Sequence, residues 1–100
     1  MPSFNPNPSV LDIAGYAKIS LSVSGVAAQT STLSPGVYAV WSPDVTTHIK
    51  VGSTADNVTT SSGFTVFAGN MVALGIGLTE NKIGAITDGG TGTLYVFRIG

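Results

Sequence analysis

The stretch Ser34-Pro-Gly-Val-Tyr-Ala-Val-Trp-Ser-Pro-Asp-Val-Thr-Thr-His-Ile-Lys-Val51 decides how the rest of the chain is read. Two turn signals punctuate it, Ser34-Pro35-Gly36 and Ser42-Pro43-Asp44. Proline at the second turn position presets φ, and glycine at the third accepts the positive φ of a type II turn. Beside these turns run Val37–Trp41 and Val45–Val51, rich in the β-branched and aromatic residues that favour strands. In the second run Thr47, Ile49 and Val51 share one face, and Thr46, His48 and Lys50 share the other. The stretch reads as a hairpin. It holds the single Trp and the single His of the chain.

Outward from it, the same period of two recurs. Toward the N-terminus, Ala17, Ile19, Leu21 and Val23 alternate strictly with Lys18, Ser20, Ser22 and Ser24, the pattern of a half-buried antiparallel strand. Gly25 interrupts, as a tight turn or a bulge, and a Thr- and Ala-rich strand follows over Val26–Leu33. Toward the C-terminus come Phe64–Ala68, then Met71–Leu78, Lys82–Thr87 and Thr93–Ile99. In Met71–Leu78 the residues Val72, Leu74, Ile76 and Leu78 share a face opposite Met71, Ala73, Gly75 and Gly77, which are small enough to let another backbone or sheet approach closely. Both faces of Thr93–Ile99 are apolar, so it is expected to be central or covered by a neighbour. Gly69-Asn70, Thr79-Glu80-Asn81 and the glycine-rich Asp88–Gly92 separate these runs. About eight short strands with no 3.6-residue period predict an all-β fold, a small antiparallel β-sandwich of jelly-roll-like form.

Two segments stand apart. Residues 1–9 carry Pro2, Pro6 and Pro8, which remove backbone donors and disfavour helix, so an extended N-terminal arm is expected ahead of one sandwich domain over 10–100. Val10–Tyr16 favours neither helix nor strand. Gly52–Gly63 is polar apart from Ala55 and Val58, and it is the longest loop candidate, of a length at which loops are often functional or mobile.

Composition narrows the function. Charged residues are 9% of the 100-residue chain, where about 25% is usual. A folded monomer of this size exposes roughly 5,300 Å². Such a surface must consist of Ser, Thr, Gly, Asn and apolar atoms, and with a net charge of −1 it is poorly protected against association. A subunit packed into an assembly fits better than a free monomer. The four basic residues, Lys18, Lys50, Lys82 and Arg98, are scattered along the chain, so nucleic acid is not expected as a partner. Without Cys, disulfides and thiolate metal sites are excluded. No secretory signal is visible at the start, and no apolar run approaches the roughly 20 residues of a membrane span.

Chemistry is sparse. His48 would need a nucleophile and a carboxylate, or further ligands, beside it; alternating with Lys50 on a polar face, it reads as a surface or rim residue. Asp44, Asp56, Glu80 and Asp88 fall at turns, where their side chains bond nearby backbone donors. Asp88–Gly92 lacks the Lys and the following helix of a phosphate cradle. Tyr38, Trp41, Phe64, Phe67, Tyr95 and Phe97 could form a sugar-stacking platform, but a sandwich core or subunit interface needs the same residues. No catalytic residue, cofactor or metal is expected.

The runs Tyr38-Ala-Val, Thr47-His-Ile-Lys-Val-Gly, Gly63-Phe-Thr-Val-Phe-Ala-Gly-Asn, Asn81-Lys-Ile-Gly-Ala-Ile and Gly92-Thr-Leu-Tyr-Val-Phe-Arg-Ile resemble small proteins encoded beside capsid genes in tailed bacteriophages. These serve as capsid decoration (cement) proteins or other minor virion components. The resemblance covers residues 34–99 and rests on β patterns, so it transfers no site residue. It implies a non-enzymatic sandwich on the capsid exterior that forms homodimers or homotrimers and bridges major capsid proteins. The arm, the loop Gly52–Gly63 and the last strand are the expected contact surfaces, with Pro2, Phe4, Pro6, Pro8, Val58, Tyr95, Phe97 and Ile99 as contact residues. The alternative is a fibre-attachment or carbohydrate-binding module, which an exposed aromatic row would favour.

Overall fold

The computed structural model describes residues 18–100; the predicted arm, with Pro2, Phe4, Pro6 and Pro8, and the segment Val10–Tyr16 lie outside the described residues. The described chain is all-β. Its strands are β1 (Lys18–Val23), β2 (Ala28–Gln29), β3 (Gly36–Ser42), β4 (Thr47–Gly52), β5 (Phe64–Val66), β6 (Asn70–Ile76), β7 (Lys82–Thr87) and β8 (Gly92–Arg98). Each falls within a residue or two of a run that the alternation marked, except that β2 keeps only two residues of Val26–Leu33.

The strands form two four-stranded antiparallel sheets, ordered β1-β8-β3-β6 and β2-β7-β4-β5. The outer pairings nest about the middle of the chain: β4 with β5, β3 with β6, β2 with β7, β1 with β8. One long antiparallel ribbon folded over on itself produces this order, and it is the jelly roll.

That order corrects the opening hairpin. β3 and β4 do not pair; they lie in opposite sheets, and residues 43–46 carry the chain across the sandwich. Of all consecutive strands, only β4 and β5 are hydrogen-bonded neighbours. The corner is held by polar groups that a solvent-facing turn would not bury. Ser42 and Thr47 are both inaccessible; each hydroxyl donates to the Val45 carbonyl, and their oxygens lie 2.9 Å apart. Gly36 is not the third residue of a type II turn either: its φ of 159° is extended backbone, and it opens β3.

The core lies between the sheets. Val23, Tyr38, Val40, Ile76, Leu94 and Val96 from the first sheet meet Ile49, Val66, Ile83 and Ala85 from the second. At about 25 cal/mol per Å², each fully buried aliphatic side chain contributes about 1.5–3 kcal/mol. Tyr38 keeps its ring in this core because its hydroxyl donates to the Ser34 carbonyl at 2.7 Å. β8 is central, between β1 and β3, as its two apolar faces required. Leu78 shares the parity of the inward residues of β6 but stands exposed, since the strand ends at Ile76.

Candidate functional site

Three places on the described surface carry enough chemistry to be weighed. The first surrounds His48. Far from being a rim residue, its side chain is buried on the outer side of the second sheet, which corrects the expectation of a surface imidazole. The loop Gly52–Gly63 buries it. A Cβ added at Gly63 would stand 2.8 Å from His48 Cβ, so the loop backbone rests on the histidine. Further along, the loop lies so close to β7 that a Cβ at Gly84 would fall 1.7 Å from the Ala55 carbonyl oxygen.

The two apolar residues of that loop explain its path. Ala55 and Val58 are both turned inward, Val58 to 2% exposure, and close the outer face of the sheet. The Ala55 amide donates to Gln29 Oε1 at 2.9 Å, and Lys50 Nζ donates to Asn57 Oδ1 at 2.8 Å. Val58 is therefore a packing residue within the domain, not a contact residue on its surface. What the loop offers outside is polar: Ser53, Thr54, Asp56, Asn57 and Thr59–Ser62.

Beneath the loop, His48 Nδ1 lies 3.0 Å from Thr65 Oγ1, and Nε2 lies 3.1 Å from Asp88 Oδ1. Hydroxyl, imidazole and carboxylate in line are the parts of an activated nucleophile. Thr65 and Asp88 stand 17 and 40 residues from His48, so no local motif announces the trio. Chemistry also needs a substrate cavity and access to the hydroxyl. The apolar cleft described below includes none of the three residues. The arrangement joins β4 to edge strand β5 and to the β7–β8 corner, which is a structural task. Among the described residues, no group of three or more His, Cys, Asp or Glu side chains could hold a metal ion.

The second place is aromatic. Trp41 and Tyr95 are register partners on the outer face of the first sheet, with ring centroids 5.6 Å apart and planes tilted by 31°. Trp41 is 37% exposed and Tyr95 half-buried. Lys18 Nζ lies 4.7 Å from the centroid of the Tyr95 ring, a cation–π contact that occupies one face of it. Phe97, two residues on, is buried, and Ile99 is half-buried.

The third place is the flank where β5 and β6 form the edges of the two sheets. Phe64 in β5 and Phe67 in the following turn are 63% and 62% exposed. Met71 in β6 is half-exposed and is the register partner of Trp41. A cleft of about 310 Å³ opens here, lined by Ile49, Lys50, Val51, Phe64, Val72, Ala73 and Leu74. Apart from Lys50 the lining carries no charge, so the cleft accepts apolar groups and offers little to orient a polar substrate. No helix among the described residues is long and apolar enough to cross a membrane. Comparison of the chain with protein-family models, with curated proteins and with solved structures finds no match.

Proposed function

We propose that this chain is a non-enzymatic structural protein of a phage virion, a decoration subunit that self-associates and bridges adjacent major capsid proteins on the capsid exterior. The observation that carries the proposal is the apolar flank: Phe64, Phe67, Met71 and Trp41 stand exposed around the β5–β6 connection on a chain with only nine charged residues at Lys, Arg, Asp and Glu. Contiguous exposed apolar surface on a small domain marks an interaction site, and depletion of charge with enrichment of aromatics and Met is the composition of an interface centre. Jelly rolls serve in viral capsids but also in lectins, so the fold alone does not choose; the resemblance of the strand runs over residues 34–99 to phage decoration proteins supports the capsid reading.

Three of the four basic residues are tied to groups of the chain itself, which argues against a phosphate-binding patch. Lys18 is engaged over Tyr95, Lys50 with Asn57, and Arg98 with the Gly100 carbonyl. The test is co-sedimentation of the purified chain with empty capsids assembled from the major capsid protein of the proposed phage. Saturable co-sedimentation is expected; a chain that stays in the supernatant at every concentration contradicts the proposal.

A second reading is favoured by one observation. Trp41 presents part of its indole to solvent beside Tyr95, as a carbohydrate-binding or fibre-attachment module requires. Against it, Lys18 already covers one face of Tyr95, and the pair is flanked by Met71 opposite Trp41 and by the single hydroxyl of Ser20 opposite Tyr95. Recognition of a sugar needs both a ring face and placed polar partners.

A further inference from the structure

We propose that β6 is the self-association edge of this protein, and that two copies pair β6 to β6 antiparallel about a twofold axis at Ala73. Four strands edge the two sheets: β1, β6, β2 and β5. β2 has two residues and β5 three, too short to template a partner, and β1 carries Lys18. β6 has seven residues, Asn-Met-Val-Ala-Leu-Gly-Ile, without charge or proline, and among the described residues it pairs only with β3. Natural proteins blunt an edge of this length with charges, prolines or bulges, because its unpaired N–H and C=O groups recruit another strand. β6 has no such protection. A strand that must receive a partner has no use for it.

The sequence of β6 is complementary to its own reverse. With Ala73 opposite Ala73, Met71 of one copy faces Gly75 of the other, and Val72 faces Leu74. Met71, Ala73 and Gly75 point to the outer face, where all three are exposed. Nothing lies within 4 Å of where a Cβ on Gly75 would stand, so the space above that residue is open. The flexible thioether of Met71 from the second copy fills it. Because Trp41 is the register partner of Met71, and Val37 of Gly75, the pairing joins them into one apolar row, Trp41–Met71–Gly75–Val37, across the axis and a second row by symmetry. Trp41, Met71 and Val37 are all among the exposed large apolar residues.

On the other face, Val72 and Leu74 line the flank cleft with Phe64. Pairing sets the same residues of the second copy against them and closes the cleft from outside. No charge occurs on β6, so no like charges meet across the axis. A seven-residue strand spans about 24 Å, and two stacked sheets present a flank roughly 15–20 Å deep, so the contact covers on the order of 400 Å² of each copy. The total, about 800 Å², falls below the roughly 1,000 Å² of a stable specific interface and within the range of weak, transient ones. The expected dimer is reversible, isologous and weak.

The pairing supplies the self-association that the decoration reading invokes and rests on that reading for its role on a capsid. Sedimentation equilibrium tests it with wild type, Gly75→Lys, Met71→Glu and the double variant, each checked for folding by circular dichroism. Wild type is expected to dimerise, and each single substitution to weaken the dimer by about tenfold by removing the fit of Met71 over Gly75 across the axis and setting a charge into the apolar row. The double variant places Glu against Lys across the axis twice and is expected to recover the dimer. Independently, Ala73→Cys in this Cys-free chain is expected to oxidise to a disulfide-linked dimer, and the control Ser22→Cys on β1 is not. A wild-type chain monomeric at all concentrations overturns the proposal, as does a dimer indifferent to Gly75→Lys or equal cross-linking at both cysteines. These outcomes leave capsid co-sedimentation free to succeed or fail by itself, so an error in the edge is distinguishable from an error in the function.

Discussion

The hydroxyl oxygens of Ser42 and Thr47 lie 2.9 Å apart, both wholly buried, at the corner where the chain leaves one sheet for the other. Each also donates to the Val45 carbonyl, so the residues form a closed polar knot inside an apolar core. Thr47→Val keeps the branched shape and removes the oxygen, at an expected cost of about 1–2 kcal/mol. For a domain of this size that lowers the melting temperature by roughly 4–16 °C. Because the two hydroxyls share partners, adding Ser42→Ala is expected to cost less than its single effect, which a double-mutant cycle in urea measures.

The same corner marks how far the sequence can be read. Alternation in Lys18–Val23, Asn70–Ile76 and Gly92–Arg98 locates strands because a period of two with one apolar face suits a half-buried strand and no helix. It does not show which strands pair. Ser42-Pro43-Asp44 serves a hairpin and a sheet-to-sheet corner equally well, since both need only a change of direction. The distinguishing feature is burial of Ser42 and Thr47, which is a property of the folded molecule. The burial of His48 is hidden from the sequence for a related reason. Its strand face is polar by composition, yet Gly52–Gly63 folds over that face, and only Ala55 and Val58 hint that the loop has something to bury.

That cover depends on Gly84. Any side chain there collides with the backbone of Ala55, which cannot move without lifting Ala55 and Val58 off the sheet. Gly84→Ala is expected to destabilise the domain by about 3 kcal/mol. Limited proteolysis should then cut first within Gly52–Gly63, while Gly77→Ser, where a Cβ meets open space, leaves the loop protected.

The contacts of His48 with Thr65 and Asp88 give a direct check on the proposal that the chain is not an enzyme. His48→Ala removes packing beneath Gly63 and leaves a part-buried hydroxyl without its partner, an expected loss of about 1–3 kcal/mol. Asp88→Asn should change stability by less than about 1 kcal/mol, because the Asp88 side chain is 70% exposed. Neither variant should alter turnover of ester or glycoside substrates, since wild type is expected to have none. Hydrolysis by wild type that disappears in His48→Ala would make the trio a catalytic site.

Trp41 separates the two functional readings. With its ring partly in solvent, Trp41→Ala should leave the fold intact while weakening both self-association and capsid binding. A glycan array probed with wild type should show no Trp41-dependent signal. Specific glycan binding lost in Trp41→Ala, with capsid binding unchanged, would favour the carbohydrate module.

Tyr38→Phe isolates one hydrogen bond from its packing. The ring stays in the core and only the contact from the hydroxyl to the Ser34 carbonyl disappears. The expected loss is about 1 kcal/mol, read from the shift of the urea midpoint at constant slope.

A capsid-decorating subunit must be visible on a capsid. The decisive experiment is cryo-electron microscopy of capsids built from the major capsid protein of the proposed phage and incubated with saturating chain. Ordered β-sandwich density is expected on the outer surface, spanning neighbouring major capsid subunits, with the β5–β6 flank buried in contacts. A bare outer lattice at saturating concentration would contradict the proposed role.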